Sequence, residues 1–179
     1  MNLTKLPTVS MVDAWIASGE YGQAKMALQC VEAEKPKSSE LHRCWADLYL
    51  AQDCVALAEE YAIKAYSYNR QSPSAVAALA ECYSRQGQNA RALGLVHPIA
   101  AKQFNLRIMK LYCKLAAKGF GRDRYVDLHE RYCRCGQISS EHVLALSLTF
   151  ATRKIDDGAI RTGSRALDPR RLVCRDARA

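Results

Sequence analysis

The chain has 179 residues, 49% of them hydrophobic, which is enough for one continuous core, and it carries a formal net charge of +8. No apolar run approaches the roughly 18 to 20 residues of a membrane span, and the opening MNLTKLPTVSMVD lacks the apolar segment and cleavage site of a secretory signal; a cytoplasmic or nuclear setting without membrane insertion is expected. Charge is unevenly placed: residues 1–106 contain ten Lys plus Arg and ten Asp plus Glu, whereas residues 107–179 contain sixteen and eight, so the two parts should meet different surroundings.

Along the chain, Thr8 or Ser10 can cap a first helix running to about Ala17, and Gly19-Glu20-Tyr21-Gly22 turns into a second that ends before Pro36. Lys35 to Ser39 reads as a linker, with Ser39 capping a helix from Glu40 to about Gln52; Ala56 to Tyr68 pairs with it. Pro73 suits the first position of the next helix, Leu79, Ala80 and Tyr83 mark its apolar face, and Gly87 ends it. Ala92, Leu95, Val96 and Ile99 form a second stripe, which Pro98 should end or kink. Ile108 to Leu115 and Tyr125 to Tyr132 give two more helices, stopped by Gly119-Phe120-Gly121 and Gly136. Ser139 or Ser140 caps a further helix to about Thr152, and Asp157 to Leu167 forms the last before Asp168-Pro169.

These helices repeat. Trp15, Ala24 and Val31 return 34 residues later as Tyr49, Ala58 and Ala65, and again as Tyr83, Ala92 and Ile99. A fixed period of this length marks stacked units, each burying what it cannot bury alone. Ala24, Ala58 and Ala92 suit a close crossing of two helices, where a methyl fits and a longer side chain would hold them apart.

The units resemble the tetratricopeptide repeat. Lys5 to Ser38 matches through Trp15, Gly19, Tyr21, Ala24, Leu28 and Pro36; Ser39 to Ser72 through Trp45, Ala46, Tyr49, Ala58 and Ala65, with Asp53 and Val55 where Gly and Tyr are usual. Pro73 to Leu106 matches through Leu79, Ala80, Tyr83, Gly87, Ala92 and Ala100, and departs at Asn89 and Phe104; Ala159, Ala166, Leu167 and Pro169 look like part of another repeat. The resemblance implies an all-α, right-handed superhelical solenoid of antiparallel helical hairpins, with three hairpins in residues 1–106 and degenerate hairpins plus a basic cap in residues 107–179.

It also implies a groove lined by the first helix of each unit. The groove positions carry Val9, Asp13, Ile16 and Ala17, then Arg43, Asp47, Leu50 and Ala51, then Ala77, Glu81, Ser84 and Arg85. Asp13, Asp47 and Glu81 share one position in three units and should form a ladder of carboxylates, favouring a peptide with apolar anchors flanked by Lys or Arg; acidic residues on a solvated helix face are the plain alternative. The Lys and Asn with which some members of the family grip a C-terminal carboxylate have no counterpart, since Val9, Asp13, Cys44, Asp47 and Ala78 hold the matching positions.

The basic part offers Arg107, Lys110, Lys114 and Lys118 on nearly one face, and a later group of Arg161, Arg165, Arg170 and Arg171. An acidic protein surface, nucleic acid, or solubility alone each accounts for such density. His129, Cys133, Cys135 and His142 would supply a tetrahedral zinc set by type, but their spacing matches no compact ligand pattern, and buried thiols are the expectation for the eight Cys. There is no Gly-rich phosphate loop, nucleophile elbow or HExxH, so neither enzyme nor cofactor is expected. The expected function is a non-catalytic scaffold or chaperone holding a partner polypeptide. In size and repeat number the chain is similar to the chaperones of type III secretion, and ubiquitin-ligase scaffolds use similar arrays. The alternatives are an RNA-associated adaptor working through the basic part and a structural subunit that self-associates.

Overall fold

The computed structural model describes residues 7–136, and every regular element among them is helical. The helices are α1 (Val9–Ser18), α2 (Tyr21–Glu34), α3 (Ser39–Ala51), α4 (Val55–Tyr68), α5 (Pro73–Arg85), α6 (Asn89–Lys102), α7 (Leu106–Ala117) and α8 (Arg122–Arg134). The helices expected after residue 136 lie outside the described residues.

Helix boundaries carry the repeat. α3 and α5 begin at Ser39 and Pro73, and α2, α4 and α6 begin at Tyr21, Val55 and Asn89, each 34 residues apart. The turns repeat with them. Glu20, Cys54 and Gln88 each donate their backbone N–H to a carbonyl five residues back, that of Trp15, Tyr49 or Tyr83, at 2.8–2.9 Å. The residue before each donor is left-handed: Gly19 at φ 81°, Asp53 at φ 59° and Gly87 at φ 80°. This closure satisfies carbonyls that a helix end would otherwise orphan. It explains why the second unit departs from Gly at Asp53, because a short polar side chain tolerates positive φ better than most. After α7 the same bond runs from Phe120 to Leu115 at 3.0 Å, with Gly119 left-handed.

Two sequence expectations shift. The cap of α3 is Ser38, whose Oγ accepts from Leu41 N at 3.4 Å, while Ser39 is already helical and donates to Ala65 O at 2.8 Å. Pro98 lies inside α6, which continues to Lys102; the ring removes one ladder bond without ending the helix.

The chain divides into two compact units, Met1–Ile99 and Ala100–Ala179. In the first, α1 packs on α2 and α3, α3 on α4 and α5, and α4 on α5, the packing of a helical repeat. Its core joins Val12, Leu28, Leu41, Trp45 and Leu48, then Leu50, Ala62, Leu79 and Cys82. Ala24, Ala58 and Ala92 are completely buried, as close helix crossing requires. Trp45 stacks on Tyr49 and Tyr61 at ring distances of 5.8 and 5.6 Å. In the second unit α7 packs on α8, with Tyr112 edge-on to Tyr125 at 5.5 Å. Burial raises the Tyr125 phenol above its ordinary value. No helix among the described residues is long and apolar enough to cross a membrane.

Candidate functional site

The row α1–α3–α5 brings the first-helix positions of three units side by side. Its centre is Arg43. From α3 the guanidinium reaches across to α1, with Nη1 2.7 Å from Asp13 Oδ1 and Nη2 3.3 Å from Asp13 Oδ2. It also holds Asp47 Oδ2 at 2.8 Å, one turn along its own helix, and Glu40 Oε2 at 3.1 Å. The other Glu40 oxygen accepts from Ser74 Oγ on α5 at 2.9 Å. A single polar network thus ties all three helices. Burial disfavours the Arg43 charge, but the Asp13 hydrogen bond and the Asp47 charge outweigh it and raise the group above its ordinary value. The neighbouring Cys44 thiol is pushed up to about 12 by burial, against the pull of Arg43.

A second cluster sits further along the row. Arg85 Nη1 donates to Leu50 O at 2.8 Å and to Asp53 Oδ1 at 3.1 Å, while Arg85 Nη2 lies 3.9 Å from Glu81 Oε1.

These contacts correct the picture of an exposed groove lining. Arg43 is 5% exposed, Leu50 4% and Ala77 0%, so these three are packing residues. Ile16, Asp47 and Glu81 are half-buried, and Val9, Asp13 and Arg85 are exposed. Asp13 and Asp47 are not independent rungs of a carboxylate ladder, because one guanidinium bridges them. The physical reason is the i, i+4 spacing of Arg43 and Asp47, added to the close pairing of α1 with α3. Glu40 and Ser74 carry no site expectation in the sequence, and Asp53 stands out there only as a departure from Gly. Glu40 and Ser74 stand 34 residues apart, and that spacing alone could have paired them.

On α7, Lys110 and Lys114 are exposed and Arg107 is half-buried; Lys118, its C-cap, is exposed too. Arg161, Arg165, Arg170 and Arg171 lie outside the described residues. Of the proposed zinc set, His129 is buried with its Nδ1 3.7 Å from Cys133 Sγ, and Cys135 is exposed; His142 lies outside the described residues. Burial lowers His129 below its ordinary value. The expectation of buried thiols holds for Cys44, Cys82 and Cys113 but not for Cys30, Cys54 and Cys135, which are exposed. The segment Lys35 to Ser39, expected as a plain linker, forms with Tyr68 and Asn69 an open cleft of about 680 Å³.

No protein-family model, no curated protein and no solved structure matches this chain.

Proposed function

We propose that the chain is a non-catalytic scaffold or chaperone of the tetratricopeptide type, a right-handed solenoid whose α1–α3–α5 row holds a partner polypeptide. The observation that carries this reading is the polar network centred on Arg43. It fixes three neighbouring helices in one arrangement before any partner arrives, so little ordering cost opposes docking.

The spacing also suits an extended segment. Adjacent packed helices lie about 8–10 Å apart, and an extended chain advances about 3.4 Å per residue, so successive units meet about every third partner residue. Three carboxylates around Arg43 leave the α1–α3 end acidic, and Glu81 and Asp53 around Arg85 do the same at the α5 end, so Lys or Arg is favoured along the row. Exposed Val9 and half-buried Ile16 supply apolar contact.

Selection of peptides from a random library tests the reading. Binders should carry Lys or Arg, and Glu81→Lys should weaken them at least about tenfold. Glu60→Lys on α4, an exposed residue with the same charge change, should leave binding unaltered. Equal loss in both variants, or none in either, contradicts it.

A further inference from the structure

We propose that the outward face of α7 is a docking surface for duplex nucleic acid, bound through its phosphates and without base readout. This stands independently of the peptide reading. Arg107, Lys110, Lys114 and Lys118 fall at i, i+3, i+7 and i+11, a single line along the helix about 16 Å long. The other face of α7 is fixed: Ile108, Met109, Leu111, Tyr112 and Leu115 are buried, while Lys110, Lys114 and the C-cap Lys118 are exposed and Arg107 is half-buried. Residues 100–136 hold nine Lys plus Arg against three Asp plus Glu.

The occupant follows from what accompanies those charges. Protein interfaces draw their affinity from desolvated aromatic and aliphatic anchors. Among the described residues the exposed large hydrophobics are Val9, Met11, Met26, Leu57, Ile63 and Tyr68, so α7 and α8 present none. A bilayer surface would need an apolar helix face to bury, and that of α7 is already inside the unit. Single strands are held by stacking on exposed rings; among the described residues of this unit Tyr112, Tyr125 and Tyr132 are buried and Phe104 and Phe120 are half-buried, so none is an exposed platform. A line of cations without anchors suits a polyelectrolyte whose charges recur whatever the register. A duplex supplies about one phosphate charge per 1.7 Å of axis and meets the line at any sequence.

Fluorescence anisotropy of the full chain with a labelled random-sequence DNA duplex tests this. Between about 50 and 200 mM salt, log affinity should fall with log salt at a slope of about −2 to −4, the range for about two to four neutralised phosphates. Lys110→Glu with Lys114→Glu should weaken binding at least about tenfold at mid-range salt and make the slope shallower by about two. The neutral pair Lys110→Gln with Lys114→Gln should flatten the slope equally, and it carries the test if the charge reversal fails to fold. Lys35→Glu with Lys37→Glu, the same charge change in the cleft of the first unit, should leave affinity within about threefold. Absence of binding by the folded wild type at low salt, equal loss from both reversals, or tighter binding to phosphatidylserine vesicles or polyglutamate than to duplex would overturn the assignment.

Discussion

Arg43 on α3 and Asp13 on α1, thirty residues apart in sequence, are joined at 2.7 Å by a guanidinium whose side chain is 6% exposed. Removing that cation takes from Asp47, only 14% exposed, its guanidinium at 2.8 Å and leaves three carboxylates that no longer share its charge. Arg43→Met should therefore destabilise the first unit by about 2–3 kcal/mol, below the value for a fully buried pair because Asp13 and Glu40 keep water contact. Arg43→Lys should recover little, since one ammonium cannot span three carboxylates. Urea unfolding followed by circular dichroism measures both.

Asp53 occupies a left-handed position that Gly19 and Gly87 fill in the neighbouring units. Its ion pair with Arg85 involves a side chain 87% exposed and contributes little. Asp53→Gly should thus raise stability by about 0.5–1 kcal/mol, and Asp53→Ala should lower it by a similar amount. Thermal unfolding of the two variants beside the wild type decides the sign.

Thiol chemistry should follow burial. Cys82, like Cys44, is pushed up to about 12 by burial, and neither can form a thiolate near neutral pH. Alkylation of the native protein followed by mass spectrometry should label Cys30, Cys54 and Cys135 first, and Cys44, Cys82 and Cys113 only on unfolding.

The helices and their 34-residue phase were legible because apolar periodicity and turn glycines are local signals that packing reinforces. Asp53 was legible as a departure, and the left-handed turn gives that departure its reason. The cap of α3 was misplaced by one residue because Ser38 and Ser39 are equally good caps by type; only the bonds to Leu41 and Ala65 separate them. The candidate site was half legible. Its positions follow from the period, but the burial of Arg43 depends on how near α3 approaches α1, which no single-chain pattern encodes. A reversal of Asp13, Asp47 and Glu81 together, natural for a free carboxylate ladder, would break the Arg43 network and confound folding with binding.

His129 on α8 is buried beside Tyr125, and desolvation lowers it below 6.5 despite the nearby Glu130 charge. The folded state therefore binds the proton less readily than the unfolded chain. The stability this contributes is present above about pH 6.5 and is lost as pH falls below it. His129→Phe should flatten the fall in stability between about pH 7 and 5, read as the difference between wild-type and variant denaturation midpoints. An unchanged slope would contradict the assignment.

On the proposed function, α1, α3 and α5 form the face that holds a polypeptide. Hydrogen exchange of the full chain with and without a library-selected peptide addresses it most directly. Added protection is expected in α1, α3 and α5 and none in α4 beyond what those helices transmit, with the pattern abolished by Glu81→Lys. Protection centred on α2 and α4, or protection unaffected by Glu81→Lys, would contradict it.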